Sequence, residues 1–322
     1  MDDPSCVGAA RRHVAALCRD LDFDEVASGQ AAIIVNELGS NLCKHVRNGQ
    51  LWIAARQGDT PEIEMLSVDS GPGISDVALA MRDGFSTAGS PGTGLGAVQR
   101  LATDFDLHSD VDKGTVILAR LRPGAHRKQG FKWGVVALPA PGETVCGDSW
   151  GVAFEGKRAA MLVADGLGHG EHAAHASLAA VELFAQQPFA ELKSALEQAH
   201  VMLRMTRGAA VTRAQLDAEE NVLRAVGAGN VAIRVVSGVF NRSVLAQHGT
   251  VGVQMRRVEE TGMNWPAHAL VVCHSDGLQS RWPPEAITAL IGRDPALAAA
   301  VLVRDYGRGR DDVTVLVMRR DD

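Results

Sequence analysis

The chain lacks much of what several common protein classes depend on. Its cysteines are few: Cys6, Cys18, Cys43, Cys146 and Cys273 make five in 322 residues, an odd number with no Cys-x-x-Cys pair. That argues against a disulfide framework or a zinc site of ordinary ligand spacing and predicts reduced, mostly buried thiols. Long apolar runs are missing too. The most apolar stretch, Ile287 to Val303, is broken by Arg293, Asp294 and Pro295, short of the roughly 20 residues a membrane span needs. There is no basic surplus, since the formal charge is -6, so no broad positive surface for nucleic acid is expected. Internal repeats and low-complexity tracts are absent. The opening Met1-Asp-Asp-Pro lacks the basic-then-apolar order of a secretory signal, and a cytoplasmic location is expected. What remains is an average soluble composition, 46% apolar and 22% charged, in a chain long enough for two cores.

Apolar periodicity divides the chain into blocks. Residues 8–22 and 24–47 read as helices, with Val14, Leu17, Cys18 and Leu21 on one stripe and Ala32, Ile33, Val35, Asn36 and Leu38 leading into a motif region. Strands are predicted at 51–55, 62–68, 105–108 and 115–121, with a helix over 97–102. The Pro- and Gly-punctuated basic stretch 123–131 reads as a linker, giving domains at 1–122 and 132–322. Beyond it, strands are predicted at 133–139, 148–155 and 158–164, then one helical stretch over 169–203, then strands from 210 to 247, at 269–274 and at 313–318. Both halves read as α+β layers.

The first half carries residues suited to a nucleotide. Glu37 and Asn41 lie four apart on a predicted helix and leave the same face one turn apart. The Asn carbonyl suits Mg²⁺ bound to a triphosphate, the Glu can accept a proton from an attacking hydroxyl, and Lys44 can reach phosphate. Asp69, at a strand end, can accept from the amino group of adenine, and Gly71 and Gly73 let backbone pass close to the base. The run Gly92-Thr-Gly94-Leu95-Gly96 can present backbone N–H groups to phosphates at the start of a helix. Lys113-Gly114-Thr115 closes the set.

The second half carries acids. Gly147-Asp148, Asp165-Gly166, Asp276-Gly277 and Asp311-Asp312 each place a carboxylate at or near a strand end. Acids converging on one edge would repel unless hard divalent cations neutralised them. Two bridged ions would lower the pKa of a shared water, giving a nucleophile for in-line attack on phosphorus without a covalent intermediate.

The order of motifs in residues 3–122 resembles the ATP-binding fold shared by gyrase, histidine kinases and the mismatch-repair ATPases, the GHKL fold. Asp83-Gly-Phe-Ser-Thr87, Arg100-Leu101, Phe105 and Ser109 are similar to the anti-sigma-factor-type serine kinases, especially the RsbT-like kinases of stressosomes. Pro91 and Thr93, in the lid, depart from that pattern, which bears on lid closure. The resemblance implies an α/β sandwich binding ATP and Mg²⁺ through Asn41, Lys44, Asp69, Gly71, Gly73, Thr87, Gly92, Gly94, Leu95, Gly96 and Thr115, with Glu37 as general base. His13 and His45 lack the dimerising-helix setting of a phosphoacceptor histidine.

Across residues 132–319, Asp165-Gly-Leu-Gly-His-Gly170, Thr206-Arg-Gly-Ala-Ala210, Gly229-Asn230, Gly249-Thr-Val-Gly252 and Ser275-Asp-Gly-Leu278 resemble the PPM-class serine/threonine phosphatases of the SpoIIE and RsbX branch. That implies an αββα sandwich holding two Mn²⁺ or Mg²⁺ ions. Asp165 would bridge them, Gly166 would ligate through its carbonyl, and Asp148, Asp276 and Asp311 would complete the set. His169 is expected to shape a loop, with general acid as the alternative role, His172 and His175 to lie along the next helix, and Arg207 to touch substrate phosphate or form a buried ion pair. Together the resemblances imply a switch-protein kinase and phosphatase acting on Ser or Thr of a STAS-domain antagonist, with pairing into a homodimer common among such kinases. The rival reading keeps the phosphatase and makes the first domain an ATP- and partner-binding sensor; retention of Glu37 argues against it.

Overall fold

The computed structural model describes residues 1, 3–57, 60–82, 94–124, 130–244 and 246–321. The expectations for Thr87, Pro91, Gly92 and Thr93 lie outside the described residues. The chain divides into two compact units, Met1–Lys128 and Gln129–Asp322. The division falls within the stretch 123–131. Among the described residues no helix is long and apolar enough to cross a membrane.

In the first unit, α1 (Pro4–Asp20) and α2 (Glu25–His45) precede β1 (Gln50–Arg56), β2 (Glu62–Val68), α3 (Val77–Ala80), α4 (Gly94–Leu101), β3 (Asp104–Asp110) and β4 (Gly114–Leu121). Asp3 and Asp24 cap the two long helices, accepting from the Ser5 and Ala27 amides at 2.7 Å. The strands form an antiparallel sheet in the order β1-β2-β4-β3. Alternation sends Ile63, Met65, Ile117, Ala119 and Leu121 to one face, where Val14, Cys18, Ile34, Val35, Leu38 and Val98 cover them. Ile33 does not join this core and is 47% exposed. Toward one end, buried Glu64 on β2 accepts from Arg120 on β4 at 2.6 Å, and Glu62 forms an ion pair with Arg122, just past β4, at 2.9 Å.

In the second unit the strands are β5 (Phe131–Leu138), β6 (Asp148–Glu155), β7 (Arg158–Gly166), β8 (Ala209–Asp217), β9 (Val222–Ala228), β10 (Ala232–Val236), β11 (Asn241–Val244), β12 (Gly249–Thr250), β13 (Gln254–Met255), β14 (Thr261–Asn264), β15 (Leu270–His274) and β16 (Val313–Arg320). The helices are α5 (Glu171–Gln186), α6 (Leu192–Met202), α7 (Glu285–Thr288) and α8 (Pro295–Tyr306). Two antiparallel five-stranded sheets form, β11-β10-β15-β16-β5 and β14-β9-β8-β7-β6. Strand β7 shows why they stack. Ala159, Met161 and Val163 face the other sheet's Val271, Cys273, Leu316 and Met318, while Ala160, Leu162 and Ala164 face Ala180, Phe184 and Leu196 of the helices. With α5 on β6 and β7 and α8 on β5 and β16, the unit is an αββα sandwich.

The single helix expected over 169–203 is two helices. Pro188 follows Gln186 and Gln187 and has no N–H to continue the ladder. The gap carbonyls of Gln187 and Pro188 instead accept from buried Arg213 on β8, at 2.5 and 2.6 Å. All five cysteines are free; Cys18 and Cys273 are buried and Cys6, Cys43 and Cys146 only half-buried.

Candidate active sites

The first site is a cavity of about 410 Å³ between α2, the β2 end and the start of α4. Glu37, Asn41 and Lys44 line it from α2, one turn apart. Asp69 follows the last residue of β2 and is fixed by its neighbours. Its Oδ1 accepts from the Gly71 amide at 2.8 Å and the Thr115 amide at 3.2 Å, which leaves Oδ2 for a ligand. Ser109 ties the following loop down, accepting from the Ile74 amide at 2.8 Å and meeting Thr115 Oγ1 at 2.9 Å. Two glycines make the floor possible. Gly73 has φ +73° and Gly114 φ +104°, and a Cβ at either would collide with backbone, that of Asp110 or of Asp69.

Of the expected ATP residues, Glu37, Asn41, Lys44, Asp69, Gly73, Gly94, Leu95 and Thr115 line this cavity. Gly71 packs beside Val46, and Gly96 is buried within α4. The sequence pattern does not reveal Val46, Ile74, Leu79, Ala80 and Ile117, which give the cavity an apolar side suited to a base, or Ser67 beside them. Ser67 could have been found, because it stands two before Asp69 and shares a face with it. Its cross-strand partner is Ile117.

The second site is built on the edge where β6 meets β7. Asp148 and Asp165 are direct cross-strand partners. Asp276 lies just past β15, and Asp311 just before β16. Gly166 allows a close approach, because a Cβ there would collide with the Ala173 carbonyl of α5. Asp148 Oδ2 accepts from Ser275 Oγ at 2.6 Å, and Ser275 Oγ in turn accepts from the Thr314 amide at 2.9 Å. Asp276 Oδ2 accepts from Asn230 Nδ2 at 2.6 Å.

Burial pushes the Asp148 and Asp165 carboxyls well above the usual carboxylate range. Repulsion adds to it, from Asp312 and Asp276 at Asp148 and from Asp148, Asp276, Asp311 and Asp312 at Asp165. Asp312 enters here without having been expected as a ligand. It is 4% exposed, its Oδ1 accepts from the Ala140 amide at 2.9 Å, and its Oδ2 and Asp148 Oδ1 are buried without a hydrogen-bond partner. Orphaned acceptor oxygens among mutually repelling acids fit a hard divalent cation. Among the described residues no three Cys, His, Asp or Glu side chains sit in ligating range.

His169 stands on the loop as expected, with Nδ1 2.6 Å from Glu143 Oε1 and a largely exposed ring. His172 and His175 lie exposed on α5. Arg207 is exposed, with its guanidinium against Gly168, so the buried ion-pair alternative does not hold.

Fold and sites together define a two-domain chain, a histidine-kinase-type ATPase domain joined to a PPM-type phosphatase domain. Residues 2–121 match the family described as "Histidine kinase-like ATPase domain" and residues 155–321 the family described as "Stage II sporulation protein E (SpoIIE)". The chain belongs to the SpoIIE family through its second unit, and to the RsbT-type kinases through its first. The first unit is 35% identical over 129 residues to "Serine/threonine-protein kinase RsbT" of Bacillus subtilis (strain 168), covering 37% of this chain and 96% of that protein. A solved chain described under "The bacterial stressosome: a modular system that has been adapted to control secondary messenger signaling" is 27% identical with TM-score 0.56, over 59% of this chain and 100% of its own. RsbX in complex with magnesium shares the fold at 21% identity and TM-score 0.55, over 61% of this chain and 98% of its own.

Proposed function

We propose that the chain is a bifunctional switch-protein kinase and phosphatase of a bacterial partner-switching pathway, of stressosome or anti-sigma type. Its first domain (1–122) phosphorylates Ser or Thr of a STAS-domain protein, and its second (132–322), beyond the linker 123–131, removes that phosphate. It works in the cytoplasm, and the kinase domain is a candidate for pairing. The observation that carries the reading is the joint placement of Glu37 and Asn41 on one wall of the Asp69 cavity. A module that only bound ATP would need the Asn and the Asp but not a base.

In the kinase step Asp69 Oδ2 accepts from the adenine amino group, the apolar side holds the ring, and the amides at the start of α4 face the phosphates. Asn41 would hold Mg²⁺, and Glu37 takes the proton from the substrate hydroxyl as it attacks the γ-phosphorus. In the phosphatase step Asp148, Asp165, Asp276, Asp311 and the Gly166 carbonyl would hold the metal ions. Bound Mn²⁺ or Mg²⁺ supplies the polarisation that makes water a nucleophile for phosphorus at neutral pH. Ser275 and Asn230 orient two of the carboxylates, and exposed Arg207 stands free to meet substrate phosphate.

The test is incubation with the STAS protein encoded beside it, ATP and Mg²⁺, followed by intact mass of the substrate. Phosphate accumulating on the substrate with Asp165→Ala, and absent with Glu37→Ala, is the expected result. ATP binding without transfer in either form would leave only the sensor reading of the first domain.

A further inference from the structure

Beside the phosphatase site lies a second cleft, of about 470 Å³, lined by Gln279, Ser280, Arg281, Gly307, Arg308 and Arg310. Its two walls are the loops that carry the expected metal ligands Asp276 and Asp311. They are stitched together by backbone: Leu278 bridges Gly307, the Gln279 amide donates to the Tyr306 carbonyl at 3.0 Å, and the Arg308 amide to the Gly277 carbonyl at 2.8 Å. The cleft is therefore fixed relative to the acids. All three arginines are exposed. None has a carboxylate partner among the described residues, whereas neighbouring Arg304 is paired with Asp305 at 2.7 Å.

We propose that this cleft docks carboxylate side chains flanking the phosphorylated residue of the protein substrate. The inference rests on the phosphatase reading of the adjacent site. Metal ions held by the acids would neutralise the phosphoester itself, so cations placed outside that site meet what lies next to it in the substrate. Guanidinium forks match carboxylates bidentately. Each exposed pair contributes little, and a pair of arginines together gives a preference of about tenfold that salt screens.

The test uses the full chain with Mn²⁺ as wild type, Arg281→Ala/Arg308→Ala and Arg281→Lys/Arg308→Lys. Three substrates are compared: p-nitrophenyl phosphate, a phosphoserine peptide with aspartates on both sides, and the same peptide with neutral flanks. Wild type is expected to favour the acidic peptide by about tenfold in kcat/KM, through KM, with the preference fading between about 0.05 and 0.5 M salt. The alanine variant loses the preference, the lysine variant keeps part of it, and p-nitrophenyl phosphate turnover stays within about twofold in all three. Equal handling of the two peptides by wild type, or a preference that survives alanine, overturns the docking proposal alone. Inhibition by inorganic phosphate is expected to be the same in wild type and alanine variant; its loss in the variant would make the cleft a product-phosphate site and overturn the proposal. No p-nitrophenyl phosphate turnover by wild type would sink the phosphatase reading and this inference together.

Discussion

Asp148 and Asp165 face each other across adjacent strands, and this sets how the metal-free protein responds to pH. Their carboxyls rise from the ordinary 3.8 to about 7 and about 8, with burial the largest cause. Between those limits the folded chain retains protons that the unfolded chain has released, so stability falls as pH rises through the window and levels off above it. In chelator, the second unit should therefore melt at lower temperature as pH goes from about 4 to about 8. Saturating Mn²⁺ should restore stability most at the alkaline end, because the ligands must be deprotonated to bind. A chelated melting temperature that climbs across that window would contradict the arrangement. Gly166 makes a separate point. Gly166→Ala removes no ligand atom, yet its Cβ would collide with the Ala173 carbonyl and push β7 from α5. The expected cost is about 3 kcal/mol, read as a lower urea midpoint, with a fall in p-nitrophenyl phosphate turnover. An unchanged midpoint would mean that the strand–helix contact is looser than described.

At the scale of elements, what could be read from the sequence depended on whether the signal was local. Apolar alternation and flanking turn residues place strands β2 and β6 to the residue. The Asp–Gly strand ends were legible for the same reason, and so were the acids they carry. The buried role of Asp312 was not, since it comes from contacts with Ala140 and Gly147 that lie far off in the chain. Helix α8 was seen only as an apolar stretch. It is buried on nearly every side against β5 and β16, so it lacks the one-sided stripe that marks a surface helix. The break after α5 was missed despite Pro188, because the local apolar pattern continues past it. What stabilises the break is non-local: Arg213 on β8 donates to the Gln187 and Pro188 carbonyls and stacks over Phe184 at 5.1 Å. Arg213→Met keeps the volume but orphans both carbonyls. It should lower stability by about 2 kcal/mol in urea unfolding followed by tryptophan fluorescence. A Trp52→Phe background confines that signal to Trp133, Trp150, Trp265 and Trp282 of the second unit. A change within about 0.5 kcal/mol would show that water caps the carbonyls as well as the guanidinium does.

For the whole molecule the consequence of joining two such sites is a cycle. If both act on one hydroxyl, each turn transfers a phosphoryl group from ATP to the substrate and then to water, and the substrate returns unchanged. Net ATP hydrolysis should then continue long after the ADP formed exceeds the STAS protein present, at a rate set by the slower of the two steps. The phosphorylated fraction at steady state should equal the apparent first-order rate constant of phosphorylation divided by the sum of the rate constants of phosphorylation and dephosphorylation. Three forms of the chain separate this from simpler schemes. Wild type should release ADP steadily, and only when the STAS substrate is added. Asp165→Ala should give a burst that stops near one ADP per substrate hydroxyl, because the phosphate is never removed. Glu37→Ala should give neither burst nor steady release, while still hydrolysing substrate phosphorylated beforehand. A continuous coupled assay for ADP, read beside the intact mass of the substrate, distinguishes all three. A wild-type burst that ends at stoichiometry, with phosphatase activity on p-nitrophenyl phosphate intact, would mean that the two sites serve different proteins and that the fusion joins two pathways rather than setting one ratio.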